Sequence, residues 1–280
     1  MSRWLYALLF IALWFGMPGP VPHARSPAQR ACAPLQGFAL TGQAQVVVFG
    51  DMHGTVQAPA VFAQAACLFA QRLGGERGVI GLELPESFNA YFDDVGVQPV
   101  EAVWARARSD VFWEEFKDGR HSAAMWQLVH RLIGLSAKTG GSLRVVALAR
   151  QPIDVDGASL LVTSMKSLQA SRALVLIGNA HARMIRMQGQ NSEPFARNVA
   201  KAGLSVLSLN VRAGGGTGWQ CAPECAAHPL FAMPEKGGVK IVLLPDGERE
   251  PWHGYYYVPE MTLSHPAKPL ASPERAPASG

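Results

Sequence analysis

The stretch VVVFGDMHGT, Val46 to Thr55, runs four apolar residues into a glycine, an acid and a histidine. A second stretch, LVLIGNAHAR, Leu174 to Arg183, follows the same plan. Short continuous apolar runs bounded by glycine are typical of strands that are buried on both faces of a sheet. The two stretches therefore predict two strands of a parallel sheet, each ending in a Gly-x-x-His turn that carries His53 or His181.

The chain from residue 45 onward alternates short runs rich in Val, Ile and Leu with longer segments of helical spacing. The predicted strands are 45–49, 78–84, 143–149, 173–177, 205–211 and 239–244, and the predicted helices are 59–73, 121–138, 158–170 and 193–202. This alternation indicates an α/β fold with a mainly parallel sheet and helices on both faces. We expect the active crevice at the carboxyl ends of the strands, where ligands collect in open parallel sheets.

Several segments depart from this rhythm. Residues 91–118 are rich in aromatic and acidic side chains and predict an insertion at one end of the sheet. Residues 214–234 are predicted to form a Gly-rich, Cys-containing loop, and GYYYVPEMTL, 254–263, a last strand at the sheet edge. The Pro/Ala/Ser-rich residues 266–280 predict a disordered tail.

The amino terminus has the layout of a secretory signal. Arg3 precedes an apolar stretch, 4–17, and a Pro/Gly-rich segment that ends near Ala24. The apolar stretch is short beside the ~20 residues of a membrane span. We expect a signal peptide over 1–24, a linker over 25–44 and a single α/β domain over 45–265 in the periplasm or outside the cell. The alternative is an uncleaved anchor, which would be the chain's one contact with a membrane.

Export would place the cysteines in an oxidising compartment. There Cys221 and Cys225 favour a disulfide that closes a tight loop over a metal clip, with Cys32 as a competing partner. Cys67 lies in an apolar helical stretch, where the pattern predicts a small buried hydrophobic residue.

The charge pattern argues against nucleic acid as a partner. The 25 basic and 21 acidic residues are nearly balanced, and the basic residues form no run. Dinucleotide, phosphate-loop, H-E-x-x-H and G-x-S-x-G signatures are also absent from the sequence.

Three predicted strands end in polar residues with chemical potential. One leads into Asp51 and His53, one into Glu83, and one into His181. If these strands are neighbours, two imidazoles and the carboxylates meet at one rim. Such a set suits either a divalent metal such as zinc or manganese, or a general base that works near neutral pH. The residues alone leave both uses open.

Three further charged residues are candidates for substrate binding. Asp118 and Arg120 flank a turn before a predicted helix, and the guanidinium fork of Arg120 suits an anionic or carbonyl-bearing ligand. Arg183 follows His181 by two residues.

The motifs GDMHGT, GLELPE and GNAHAR resemble those of the superfamily that joins erythromycin esterase-like, ChaN-like haem-binding and Tiki/TraB-like proteins. The resemblance spans roughly residues 45–211. It implies metal-dependent peptidases in the Tiki-like branch, hydrolases with the first His as base in the esterase-like branch, and haem binding in the ChaN-like branch. The positions that match are Asp51, His53, Glu83 and His181.

The chain also departs from these families. Asp51 stands where several members have glutamate, and the esterase-like spacing has one more residue between acid and histidine. The segments around 116–128 and 218–225 match none of the branches, which favours a separate exported subgroup.

We therefore expect an exported metal-dependent hydrolase of the peptidase or esterase type, acting on a small-molecule or peptide substrate. His53, Glu83 and His181 would be catalytic, the same three with Asp51 would bind a zinc or manganese ion, and Asp118, Arg120 and Arg183 would place the substrate. The alternative is a haem- or iron-binding protein without turnover.

Overall fold

A seven-stranded sheet forms the centre of the protein. The computed structural model describes residues 32–114, 118–221, 224–245 and 250–268. The sheet has the order β3-β2-β4-β1-β5-β9-β8, in which all neighbours are parallel except β8, which is antiparallel to β9. Its strands are β1 (Val46–Asp51), β2 (Gly78–Pro85), β3 (Leu143–Ala149), β4 (Arg172–Gly178), β5 (Val206–Ala213), β8 (Lys240–Leu243) and β9 (Gly254–Val258).

Helices cover the sheet on both faces. Val47 and Phe49 of β1 belong to one core with the helices α1 and α4, whereas Val46 and Val48 belong to a second core with α5 and α6. Because successive strand residues point to opposite faces, an unbroken apolar run is what a strand buried on both sides requires. The helices are α1 (Gln57–Leu73), α2 (Asn89–Phe92), α3 (Val100–Ala107), α4 (Ala123–Lys138), α5 (Ala158–Leu168) and α6 (Phe195–Lys201).

The predicted fold class is confirmed, and so is the position of the decisive strands. The strands β2, β4 and β1 are consecutive in the sheet and parallel, so their carboxyl ends lie side by side. The predicted insertion contains α2, α3 and a short 3₁₀ helix, Val111–Glu114.

The prediction of GYYYV as an edge strand is wrong. The strand β9 lies between β5 and β8, and β8 is the edge. Tyr255, Tyr256 and Tyr257 are all buried, because β8 pairs with the free side of β9 and the side chains pack on both faces. The sequence did not reveal this. The last strand in the chain, β9, lies inside the sheet, and the strand before it in the chain, β8, forms the edge.

The predicted Gly-rich loop contains a hairpin, β6 (Thr217–Cys221) and β7 (Cys225–Pro229). Its glycines lie mostly in the turn before β6, and the strands carry the register pair Cys221 and Cys225 directly opposite each other. This backbone register is compatible with the predicted bridge between these two cysteines, which stays a prediction.

The prediction for Cys67 is wrong, because Cys67 forms a disulfide with Cys32. Residues 32–44, predicted as linker, run along α1 instead, and Leu35 and Phe38 join the core. Gln64 of α1 donates hydrogen bonds to the carbonyls of Ala33 and Pro34. The two cysteines are 35 residues apart in the sequence, and they meet because residues 32–44 pack along α1. The local sequence pattern therefore did not predict this disulfide.

The predicted tail begins with ordered contacts. Pro266 pairs with Ser122, and the Ala267 N–H donates to the carbonyl of His121. The remainder of the tail and the predicted signal peptide lie outside the described residues. Within the described ranges, no helix has the length and apolar character needed to cross a bilayer.

Removing the Cys32–Cys67 bridge should lower the free energy of unfolding by about 2–4 kcal/mol. A loop of this size loses about that much entropy in the unfolded chain when it is closed. Urea unfolding of the paired variant Cys32→Ala/Cys67→Ala measures the change, and reduction of the wild type is the matched control. Equal midpoints for variant and wild type would contradict the prediction.

Candidate active site

The end of β1 places His53 through an unusually close turn. A Cβ on Gly50 would lie 2.1 Å from Asn179 Oδ1, so glycine is required where the chain segments after β1 and β4 meet. The buried hydroxyl of Tyr256 donates to the Gly50 carbonyl at 2.6 Å. Beyond this turn, His53 Nδ1 lies 2.7 Å from Asp51 Oδ2. Since a carboxylate only accepts, Nδ1 carries the hydrogen and Nε2 faces away from Asp51.

Glu83, at the end of β2, joins the three central strands. Its Oε2 accepts the backbone N–H of Gly178 at 2.5 Å and lies 3.7 Å from His53 Nε2. Its Oε1 accepts from Arg120 at 3.1 Å. This carboxylate is buried, and a buried charge needs such partners.

Arg120 reaches Glu83 from the turn between the insertion and α4. Asp118 holds the guanidinium through its Nε at 2.9 Å and through a second nitrogen. The turn between the two residues packs on the His53 turn, because a Cβ on Gly119 would lie 2.5 Å from the Gly54 nitrogen. Arg120, predicted to bind substrate, is therefore first of all a partner of Glu83, and Asp118, also predicted to bind substrate, is a partner of Arg120.

His181 has an acidic partner that the sequence reasoning missed. Its Nδ1 lies 2.7 Å from Asp154 Oδ1, which also accepts the Phe195 N–H at 2.8 Å. Asp154 belongs to a π-helical turn, Ile153–Gly157, between β3 and α5. π-Helical turns are frequent at functional sites. The sequence IDVDG by itself did not predict a π-helical turn.

Three of the predicted residues converge over the end of β4. A Cβ placed on Gly178 would lie 3.1 Å from Glu83 Oε2, 3.1 Å from His53 Nε2 and 3.4 Å from His181 Cδ2. The bare backbone of Gly178 thus leaves one small space that all three side chains border. We call His53, Glu83, Arg120 and His181, with their partners Asp51, Asp118 and Asp154, the strand-end cluster.

The carboxylates of the strand-end cluster favour protonated imidazoles. Burial alone would lower the pKa of His53, but the charges of Glu83 and Asp51 and the Asp51 hydrogen bond raise it from 6.5 to about 9. Burial also opposes the charge on His181, whose pKa the Asp154 hydrogen bond and the charges of Glu83 and Asp154 raise. Burial disfavours the charged form of Asp118, yet Arg120 lowers the pKa of this carboxyl.

The strand-end cluster does not match the predicted four-ligand metal site. Asp51 is turned toward His53 Nδ1, and both oxygens of Glu83 already accept N–H groups, one of them from a cation. Within the described ranges, no three His, Cys, Asp or Glu side chains are arranged to hold a metal ion. A zinc or manganese ion would have to rely on the outward edges of His53 and His181 with Glu83, and it stays a prediction.

Among the described residues, Arg183 forms no ion pair or hydrogen bond with the strand-end cluster. Its guanidinium carbon is 5.1 Å from the ring centre of Trp252, in the segment before β9. Two cavities, of about 730 and 480 Å³, also lie away from the cluster, at the amino ends of β3 and β5. The first is bordered by Gly140 and Leu143, and the second by Ser205 and Val206.

Comparison with known proteins gives similarities of structure alone. No protein-family model matches the chain, and no curated protein matches it. The structure of a type III effector, HopBA1, is similar at 15% identity with a TM-score of 0.49, covering 83% of this chain and 99% of that one. A succinoglycan biosynthesis protein is similar at 8% identity with a TM-score of 0.46, covering 81% and 90%. At these values neither bears on function, and the superfamily resemblance stays a prediction.

Gly50→Ala should destabilise the protein by about 1–3 kcal/mol, because the new methyl group overlaps Asn179 and forces the turn before His53 to move. The matched control is Gly134→Ala in α4, where a Cβ meets no atom within 4 Å and alanine favours the helix. Thermal unfolding of both variants measures the difference. A Gly50→Ala protein as stable as Gly134→Ala would refute the close approach.

The stability that His53 contributes should depend on pH. Its pKa is about 9 in the folded protein and 6.5 as the ordinary value, so its charge stabilises the fold fully below pH 6.5 and ceases to as pH rises through about 9. His53→Gln should therefore destabilise the protein most at acid pH, and the deficit should shrink toward alkaline pH. Urea unfolding of both proteins across this range tests it, and a constant deficit would contradict it.

Proposed function

We propose that the protein is a hydrolase of ester or amide bonds that uses His53 as its general base. The observation that supports this most directly is the position of His53 Nε2, which faces Glu83 while Asp51 holds Nδ1. A histidine that is oriented by a carboxylate and directed at the space over Gly178 is suited to removing a proton from water. The resemblance to esterase-like proteins points in the same direction.

In the proposed reaction, water attacks the carbonyl carbon and gives its proton to His53 Nε2. Asp51 keeps the ring in the required tautomer, and Glu83 stabilises the imidazolium that forms. Arg120 balances the charge of Glu83 once the proton has moved. His181, held by Asp154, borders the same space and supplies a proton to the leaving group as the carbonyl carbon–leaving group bond breaks. After the acid and alcohol or amine products leave, His53 releases its proton to solvent and His181 takes one up, which restores both rings.

The rival proposal, a haem carrier, finds less support in the contacts around the two histidines. Haem needs a large apolar slot beside its axial ligand. Charged side chains instead surround His53 and His181, namely those of Glu83, Arg120, Asp118 and Asp154.

His53→Ala should lower kcat/KM on a responsive chromogenic ester or anilide by about 10²–10⁴-fold, because the attacking water loses its base. His181→Ala should also lose activity, whereas the control His130→Ala, an exposed residue stacked on Trp104, should retain it. Hydrolysis of p-nitrophenyl esters and peptide p-nitroanilides is the measurement. Full activity in His53→Ala would refute the proposal.

Metal analysis and a haem absorption scan of the same samples separate the alternatives. If the wild type contains zinc or manganese and the His53→Ala/His181→Ala protein does not, the proposal of a metal-free base gives way to a metal-dependent reaction. A histidine-dependent Soret band without hydrolysis would favour the haem carrier.

The rate should rise with pH up to the alkaline range. Only neutral His53 accepts a proton, and the pKa of His53 is about 9 in the free protein. The kcat/KM of the wild type should therefore rise as His53 loses its proton near pH 9, and it should fall where His181 loses the proton that it donates, which gives a bell-shaped profile. Asp51→Asn should move the rising limb to lower pH, since it removes one of the charges that raise the pKa. A pH-independent rate would contradict His53 as the base.

A further inference from the structure

The strand-end cluster carries more negative than positive charge. Its four carboxylates face one guanidinium and two imidazoles, so acids exceed cations by one even when both imidazoles are protonated. Arg120 has little left to offer an anionic ligand, because it already serves Asp118 and Glu83. An anionic substrate would therefore meet net repulsion at the reacting centre.

Two carboxylate oxygens of the strand-end cluster accept no hydrogen bond from the described residues: Asp51 Oδ1, which is buried, and Asp154 Oδ2, which belongs to a partly exposed side chain. Asp154 uses Oδ1 for both His181 and the Phe195 N–H, while its Oδ2 accepts no hydrogen bond from the described residues. The side chain of Asp154 is 18% exposed. By contrast, both oxygens of Asp118 accept from Arg120. An ion pair with a ligand is thus available at Asp154, next to the histidine that borders the reacting space.

The residue that follows Asp154 in the chain is an exposed hydrophobic one. Val155 is 46% exposed. A ligand side chain with a methylene stem and a cationic head suits a carboxylate oxygen in such surroundings, because the stem is apolar and only the head is charged.

We infer that the substrate is an ester or amide bearing an ammonium or guanidinium group, which binds Asp154 Oδ2. This inference rests on the proposed hydrolase function. Asp154 then has two tasks: it positions His181 through Oδ1 and selects the substrate through Oδ2.

The test compares p-nitrophenyl esters of N-acetyl-lysine, N-acetyl-norleucine and N-acetyl-glutamate. They share one scissile bond and one leaving group, and differ in the head of the side chain. In the wild type at low salt, kcat/KM should favour lysine over norleucine by about tenfold and disfavour glutamate. The preference should fall as salt rises, because the charge is partly exposed.

Asp154→Asn tests the residue. It keeps an acceptor for His181 but removes the charge, so the lysine-to-norleucine ratio should fall toward one. The ratio is the decisive value because a general loss of activity cancels from it. The matched control is Asp156→Asn, in the same π-helical turn, which should keep the wild-type ratio.

The outcomes distinguish the two proposals. Hydrolysis with equal rates for lysine and norleucine, or with glutamate preferred, would overturn the substrate inference and leave the hydrolase standing. An unchanged ratio in Asp154→Asn would overturn the role of this residue. If the wild type cleaved no ester or anilide at all, the hydrolase proposal would fail and the substrate inference with it.

Discussion

The buried charge of Glu83 is the constraint on which the rest of the site depends. A carboxylate that is 6% exposed is costly unless every oxygen has a donor or a nearby cation. Here the partners come from three separate parts of the chain: the Gly178 N–H at the end of β4 and Arg120 before α4 donate hydrogen bonds, and the His53 ring after β1 lies 3.7 Å away. Satisfying one charge therefore sets the relative positions of all three.

The two histidines reach one space by different means. Asp51 is two residues from His53, so one turn supplies both members of that pair. Asp154 is 27 residues from His181 and comes from another connection of the sheet. Both pairs use Nδ1, which leaves the opposite edge of each ring toward the space over Gly178. This shared geometry supports the proposal that one histidine is the base and the other the acid. The side chain of Asp154 is 18% exposed and that of Asp51 is 2% exposed, which supports the further proposal that Asp154 also binds the substrate.

The disulfide and the strand-end cluster are separate features of the fold. The Cys32–Cys67 bridge attaches the start of the described chain to α1, and the following segment enters β1 at its amino end. The strand-end cluster lies at the carboxyl end of the same strand. A bridge of this kind supports the proposal of export, because disulfides persist in oxidising compartments.

The sequence by itself determined the sheet, its two covered faces and the strand ends where His53, Glu83 and His181 lie, because burial on both faces and glycine turns leave local patterns. Tertiary structure alone decided the pairing of Cys32 with Cys67, the interior place of β9, the ion pair of Arg120 with Glu83, and the contact of Asp154 with His181. Each of these depends on contacts between residues far apart in the chain. A local pattern of apolar and polar residues predicts which segments are buried, but it does not predict which distant group will pair with a buried charge.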